Sequence, residues 1–224
     1  MQIPLLDLKK QYKNHKMKPY KILSEKLART NKKLITSSEI KKDCEKLSVS
    51  YNPVVKYLLR NKYLERIFRG IFYVYSVEER KLGKSEMNFY EMLSVALRIK
   101  GVKNWYFGLE TALKFNNMTH EYFTIIYIIN DTIFRAKPIK IKGHKVKFHK
   151  TLTKMFEFGM NKKPYPHSNP EKTALDLYYF KHYDINNFKE ITEKLSKTKL
   201  KKYSKYYNKR VISAINEIKW SLKN

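Results

Sequence analysis

The stretch that most constrains the fold runs from Leu34 to Ser76, LITSSEIKKDCEKLSVSYNPVVKYLLRNKYLERIFRGIFYVYS. Thr36, Ser37 and Ser38 offer hydroxyls for a helix N-cap, and Glu39 lies three residues after Thr36, the spacing of a capping box. Ile40, Cys44 and Leu47 recur at i, i+4 and i+7, one apolar stripe on a short helix. Ser48 or Ser50 can cap a second helix, with Pro53 early enough that its missing N–H costs little. Val55, Leu58 and Leu59 form the inward stripe of that helix and leave Tyr51, Asn52, Lys56 and Arg60 facing out. The segment YLERIFRGIFYVY alternates and is rich in aromatic and β-branched residues, and Arg69-Gly70 supplies the turn of a β-hairpin. Helix, turn, helix and basic hairpin is the order of a winged helix-turn-helix, which lays its second helix in the major groove of DNA.

The distribution of arginine supports that reading. The chain is Lys-heavy, with Arg at positions 29, 60, 66, 69, 80, 98, 135 and 210, and three of these fall inside the stretch. Arg grips guanine bidentately, whereas Lys serves mainly as a phosphate counter-charge. Asn52, Lys56 and Arg60 are therefore the candidates for base contact, with Tyr51 beside them on the same outward face. Ser37, Ser38, Lys41, Arg66 and Arg69 are the candidates for phosphates or a minor groove. The bland alternative is that Arg66 and Arg69 decorate a solvated hairpin.

Charge widens the question. The formal net charge is +28, which calls for a polyanionic partner, an acidic protein, or both. Residues 1–84 carry 21 Lys and Arg against 8 acids, and residues 85–224 carry 27 against 12, so charge alone does not locate a nucleic-acid site. Lys- and Ile-rich composition also arises from base-composition bias or heat adaptation. Apolar and aromatic fractions of 42% and 14% suit a packed core. Cys44, the single cysteine, excludes an internal disulfide and reads as a small core residue. No apolar run suits a signal peptide or reaches the roughly 18–20 residues of a membrane span, so the expectation is a soluble cytoplasmic protein.

The remaining elements follow from periodicity. Residues 1–18 read as a docking strand, a basic arm or a frayed end. Pro19 opens a helix to about Asn31 with Ile22, Leu23 and Leu27 inward, and Leu34-Ile35 adds a short strand beside the hairpin. Ser76 to Lys84 reads as a linker between domains at 1–78 and 85–224. Ser85 caps a helix to about Lys100, with Tyr90, Leu93, Ala96 and Leu97 on one face. Asn104 to Asn116 is aromatic, then helical around Leu109 to Phe115. Phe123 to Ile129 is a strand buried on both faces, and Asn130-Asp131 turns into a second strand. PIKIKGHKVKFHK alternates apolar with basic residues, giving a sheet with a wet face of Lys137, Lys140, Lys142, Lys145 and Lys147. Met155 to Met160 adds a short strand. Ser168 and Glu171, at capping-box spacing, open a helix through Ala174, Leu175, Leu177 and Tyr178. Further helices cover Asn187 to Leu195 and Lys199 to Leu222, the last with Val211, Ile215, Ile218 and Leu222 inward. The expected fold is α+β: an N-terminal winged helix-turn-helix, then an α/β domain with a mixed sheet and C-terminal helices.

With both halves in view, the chain resembles the AbiEi family, antitoxins of type IV toxin–antitoxin systems. The likeness rests on Arg69-Gly70-Ile71-Phe72-Tyr73, on Trp105-Tyr106-Phe107-Gly108-Leu109-Glu110-Thr111-Ala112-Leu113, and on Ser168-Asn169-Pro170-Glu171-Lys172-Thr173-Ala174-Leu175-Asp176. It covers roughly residues 20–180, and PEKTALD is its most specific part. The resemblance implies repression of the protein's own operon through the winged helix. It also implies neutralisation of a nucleotidyltransferase-like toxin through the C-terminal domain.

Catalytic chemistry finds little to stand on. His144 and His149, five apart in a strand pattern, point to opposite faces, and His167 and His182 have no Cys or carboxylate at ligand spacing. No Gly-rich phosphate loop follows a strand. Glu171 and Asp176 are separated by about 140° around a helix. Glu171 reads better as the capping partner of Ser168, and Asp176 as the ion-pair partner of a neighbouring Lys. No catalytic residue, metal or cofactor is expected. Two basic surfaces can contact either a DNA backbone or an acidic partner, or be solvated faces: Lys140, Lys142, Lys145 and Lys147, and the run 197–210 with Lys199, Lys201, Lys202, Tyr203, Lys205, Tyr206 and Tyr207. The leading expectation is a sequence-specific regulator on double-stranded DNA, working as a homodimer or with cooperative neighbours, since one winged helix makes few contacts. Its rivals are a protein-interaction module that inhibits a partner enzyme, with DNA binding secondary, and a stand-alone regulator without a toxin.

Overall fold

The computed structural model describes residues 19–30 and 32–218; the expectations for residues 1–18 and for Leu222 lie outside the described residues. The chain divides into two compact units, 1–101 and 102–224.

In the first unit Ile22, Leu23 and Leu27 bury the inner face of α1 (Pro19–Ala28), as their spacing requires. The chain then forms β1 (Leu34–Thr36), α2 (Ser37–Lys46), α3 (Tyr51–Arg60), β2 (Leu64–Phe68) and β3 (Ile71–Val74). The three strands make an antiparallel sheet in the order β1-β3-β2, with Leu34 opposite Tyr73 and Leu64 opposite Val74. Between β2 and β3 the turn is Arg69-Gly70, and Gly70 has φ +80°, a conformation a side chain disfavours. Leu23, Ile40, Leu58, Leu64 and Phe72 meet in one core beneath the sheet.

Residues 76–84 are not a linker. Ser76 and Glu79 form a capping box and start α4 (Val77–Leu82), which ends at Gly83 in the left-handed region. Next comes α5 (Phe89–Ile99), capped by Asn88 rather than Ser85, with Met92, Leu93, Ala96 and Leu97 buried. It lies against β2, so residues 85–101 belong with the first unit rather than the second.

The second unit is built on a mixed six-stranded sheet in the order β6-β7-β5-β4-β9-β8. Its strands are β4 (Trp105–Phe107), β5 (Ile125–Asn130), β6 (Ile139–Ile141), β7 (His144–Lys150), β8 (Met160–Asn161) and β9 (His167–Ser168). The pairs β5/β7 and β4/β9 are parallel, and the others are antiparallel. Ile126 and Ile128 are buried while Ile125 and Tyr127 are half-buried, so β5 is less enclosed than an unbroken apolar run implies. The expected strand after Asn130 is an irregular segment, because Asn130 turns its side chain onto the backbone of that segment. One turn of 3-10 helix at Thr153–Phe156 precedes β8 where a longer strand was expected.

Helices α6 (Leu109–Phe115), α7 (Pro170–Tyr179), α8 (Ile185–Thr192), α9 (Lys197–Ser204) and α10 (Lys209–Glu217) complete it. Asn169 caps α7, accepting from the Lys172 N–H at 3.0 Å; Ser168 is the last residue of β9, and its hydroxyl lies 2.7 Å from that of Thr173. The single long C-terminal helix expected from Lys199 is two helices, broken where Asn208 caps α10. Leu175, Phe188, Leu200, Val211 and Ile215 pack the helical layer together. The molecule is α+β, as its sequence predicts.

Candidate nucleic-acid interface

The candidate surface starts from a doubly satisfied helix end. Thr36 accepts from the Glu39 N–H at 3.3 Å, and Glu39 accepts from the Thr36 N–H at 2.8 Å. Burial alone would raise the Glu39 carboxyl; pairing with Lys32 and the Thr36 donors outweighs it and lowers the group below its ordinary range. The next N–H, of Ser37, donates to the Gly70 carbonyl at 2.8 Å, tying the first residue of α2 to the tip of the hairpin. A side chain at position 70 would place its Cβ 3.0 Å from the Ser37 hydroxyl, so the close approach depends on glycine. Lys26 pairs with the buried Asp43 at 2.5 Å and ties α1 to α2.

The turn between α2 and α3 closes by a Schellman arrangement. Val49 N–H donates to the Cys44 carbonyl and Ser48 N–H to the Glu45 carbonyl, both at 3.0 Å. Ser48 takes φ +55° to allow it, a position that glycine usually fills. Helix α3 then buries Val54, Val55 and Leu58, while Leu59 is half-buried; Val54 is the core residue that periodicity missed. Asn52, Pro53, Lys56 and Arg60 are exposed along the opposite face. Residues 52, 56 and 60 follow each other at i+4, so two donors and an amide line one stripe about 12 Å long.

Of the other sequence-derived candidates, Ser38, Lys41, Arg66 and Arg69 are exposed, and Ser37 and Tyr51 are half-buried. The Lys41 ammonium stands 5.5 Å from the Tyr51 ring centroid, which brings the two helices together at that point. Arg66 lies 5.6 Å from the Phe72 ring and Ser37 meets the hairpin turn, as above. An aromatic column beside them leaves no local pattern in the chain. Tyr57 sits 4.4 Å from Tyr20 and 6.2 Å from Tyr63, and the Arg80 guanidinium covers Tyr63 at 3.6 Å.

The basic surfaces of the second unit fare differently. Lys140 and Lys145 are exposed and stand directly opposite each other across β6 and β7. Lys142 lies half-buried in the turn, and Lys147 donates to the Arg135 carbonyl at 2.9 Å and to that of Ala136. In the 197–210 run Lys201, Lys202 and Lys205 are exposed, and Lys199 lies 3.6 Å from Glu171, which is therefore paired across helices rather than capping Ser168. The interleaved tyrosines face inward. Tyr203 and Tyr206 pack on Phe158 at 5.1 and 4.4 Å, and Tyr207 is buried with its hydroxyl donating to Asp176 at 2.7 Å. Tyr203 and Tyr206 keep part of their surface in water, and Tyr207 does not.

PEKTALD turns out to hold the second unit's interior. Lys172 and Asp176 are both fully buried, 3.4 Å apart, and Tyr106 donates to the same carboxylate at 2.9 Å. The Lys172 ammonium also faces the rings of Phe158 at 4.4 Å and Tyr106 at 4.9 Å. Burial pushes Lys172 down and Asp176 up; their mutual attraction opposes both changes, and the Tyr207 and Tyr106 hydroxyls oppose the second. A second, half-buried set joins Glu110 to His182 at 2.7 Å, with the His149 ring 5.7 Å from that of His182. Burial, His182 and Lys147 lower His149 to about 4, which leaves it neutral at pH 7. Among the described residues no three His, Cys, Asp or Glu are grouped so as to hold a metal ion, and no helix is long and apolar enough to cross a membrane.

No family model matches the chain, and no curated protein matches it in sequence. Among solved structures the chain is similar to the RV2827C protein from Mycobacterium tuberculosis, with a TM-score of 0.55 and 11% identity over 87% of this chain and 76% of that one. At that identity the likeness is one of fold.

Proposed function

We propose that the chain is a sequence-specific DNA-binding transcriptional regulator whose first unit is a winged helix-turn-helix. The observation that carries this is the exposed stripe of Asn52, Lys56 and Arg60 on α3, a helix held by a buried face and a closed turn. Around it, α1-β1-α2-α3-β2-β3 is the element order of a winged helix, and Ser37 anchors α2 against the hairpin turn that would serve as the wing. Asn can pair bidentately with adenine and Arg with guanine, while Lys41, Arg66 and Arg69 supply charge for phosphates. The resemblance to AbiEi antitoxins extends the proposal: the protein represses its own operon and counteracts a nucleotidyltransferase-like toxin through its second unit. It has no catalytic role in this reading.

Selection of binding sites from a random duplex pool tests the DNA half. Asn52→Ala and Arg60→Gln are expected to relax preference at individual positions by about 1–3 kcal/mol each, with Arg69→Gln weakening all sequences alike. A pool that enriches no sequence, or variants that return an unchanged consensus, would overturn it. Co-expression with the product of an adjacent reading frame tests the antitoxin half, where rescue of growth is the expected result.

A further inference from the structure

We infer that the β5–β7 end of the second unit binds single-stranded nucleic acid, with Phe134 as its base-stacking platform. The inference is independent of the operator reading, since it concerns another unit and another form of the polymer.

Charge density is the first ground. Residues 131–154 hold eight Lys and Arg and one acid, a net +7 in 24 residues, more than twice the density of the whole chain. The single acid, Asp131, is engaged by Asn104 at 2.7 Å and Thr132 at 2.8 Å. Lys140 directly opposes Lys145, and like charges so placed destabilise a sheet. A lysine in the middle of the edge strand β6 also guards against edge-to-edge pairing, which accounts for Lys140. It does not account for the rest of the charge: Lys140 and Lys145 lie at the Ile125 end of β5, whereas Arg135 and Lys150 belong to the Asn130 end, where the loop begins.

Phe134 is the second ground. It is 67% exposed, in a loop that is fixed rather than loose. Asn130, wholly buried, accepts from the Thr132 and Ile133 N–H groups and donates to the Ile133 and His149 carbonyls. Lys147 holds the Arg135 and Ala136 carbonyls from the other side. A buried amide and a lysine thus fix the backbone on both sides of an aromatic ring left in water. Ordering a loop in advance lowers the entropy cost of binding, and here the ordered loop presents a ring two-thirds exposed to water. Arg135 adjoins it. Lys150 and the 63%-exposed Leu152 leave the same end of the paired strands, where Asn130 stands opposite Lys150.

A flat ring amid lysines suits unstacked bases on a phosphate chain, because every base offers a π-face and lysines neutralise phosphates without sequence preference. Duplex DNA hides its base faces, and an acidic protein socket would accept a branched aliphatic as readily as a ring.

Fluorescence anisotropy with the full chain tests this, using labelled oligothymidylate and oligouridylate of about 16 nucleotides and a blunt duplex of equal length. The expected result is binding of both single strands, weakened roughly tenfold by Phe134→Ala with unchanged melting temperature. Phe134→Trp should bind at least as well as wild type, and Phe134→Leu as poorly as the alanine variant. Replacing Arg135 and Lys150 with Gln should flatten the salt slope by about 1. Duplex binding should be indifferent to Phe134. No binding of either strand, equal loss on the duplex, or full binding by Phe134→Leu would overturn the inference.

Discussion

Single side chains decide whether the second unit holds. Lys172 and Asp176 have no contact with water, so each is tolerable only because the other is present. Lys172→Met should strip Asp176 of its counter-charge and cost about 3–5 kcal/mol in urea denaturation, and Asp176→Leu should cost as much. The double variant should lose less than either single, since no buried charge is then left alone. A double variant that loses the sum of the two would show that the groups act separately. The i, i+4 spacing made this pair legible, and Asp176 was read as an ion-pair partner for a lysine. Its tyrosine donors were not legible. Tyr106 and Tyr207 lie 70 and 31 residues away, and contacts of that span leave no periodic trace. The neighbouring cap was misread for a local reason: Ser168 and Asn169 both offer an acceptor, and β9 claims the first.

At the level of elements, a capping box followed by an apolar stripe makes a helix legible, as at Thr36 and Glu39. Helix α4 has the signal without the stripe. Its capping box repeats the spacing seen at Thr36 and Glu39, yet six mostly charged residues followed by Gly look like a connector. What makes it structural is Glu79, buried beneath donors from the Ser76 and Glu86 N–H groups, the Tyr73 hydroxyl and Lys33. Burial would raise this carboxyl, and the donors bring it instead to about 2. A folded value below the unfolded 4.5 contributes stability that is present above pH 4.5 and lost as pH falls toward 2. Glu79→Gln should therefore lower stability at pH 7 by about 2–3 kcal/mol and flatten the acid limb of the melting profile below pH 4.5. An unchanged acid limb would assign the acid lability to other carboxylates. The same contrast explains the C-terminal region: the stripe of Val211, Ile215 and Ile218 marks a helix but not its start, which Asn208 sets by capping α10.

For the molecule as a whole the governing quantity is a charge of +28, and the question is whether it works locally or as a uniform field. A uniform excess arising from composition would make every exposed lysine equivalent toward DNA. A docked winged helix would not. Lys41, Arg66 and Arg69 belong to one unit, and if all three meet phosphates, log K against log salt should slope by about −3 per protomer. Arg69→Gln should remove close to one from that slope, while Lys201→Gln, exposed on α9 of the other unit, should leave it unchanged. Asn52→Ala should shift affinity on the preferred site and keep the slope, because an amide releases no counterion. Equal slope losses from Arg69→Gln and Lys201→Gln would mean that the field is diffuse, and α3 would then have no privileged place on the duplex. The comparison needs only the preferred duplex and a salt titration, and it separates the charge that docks from the charge that merely attracts.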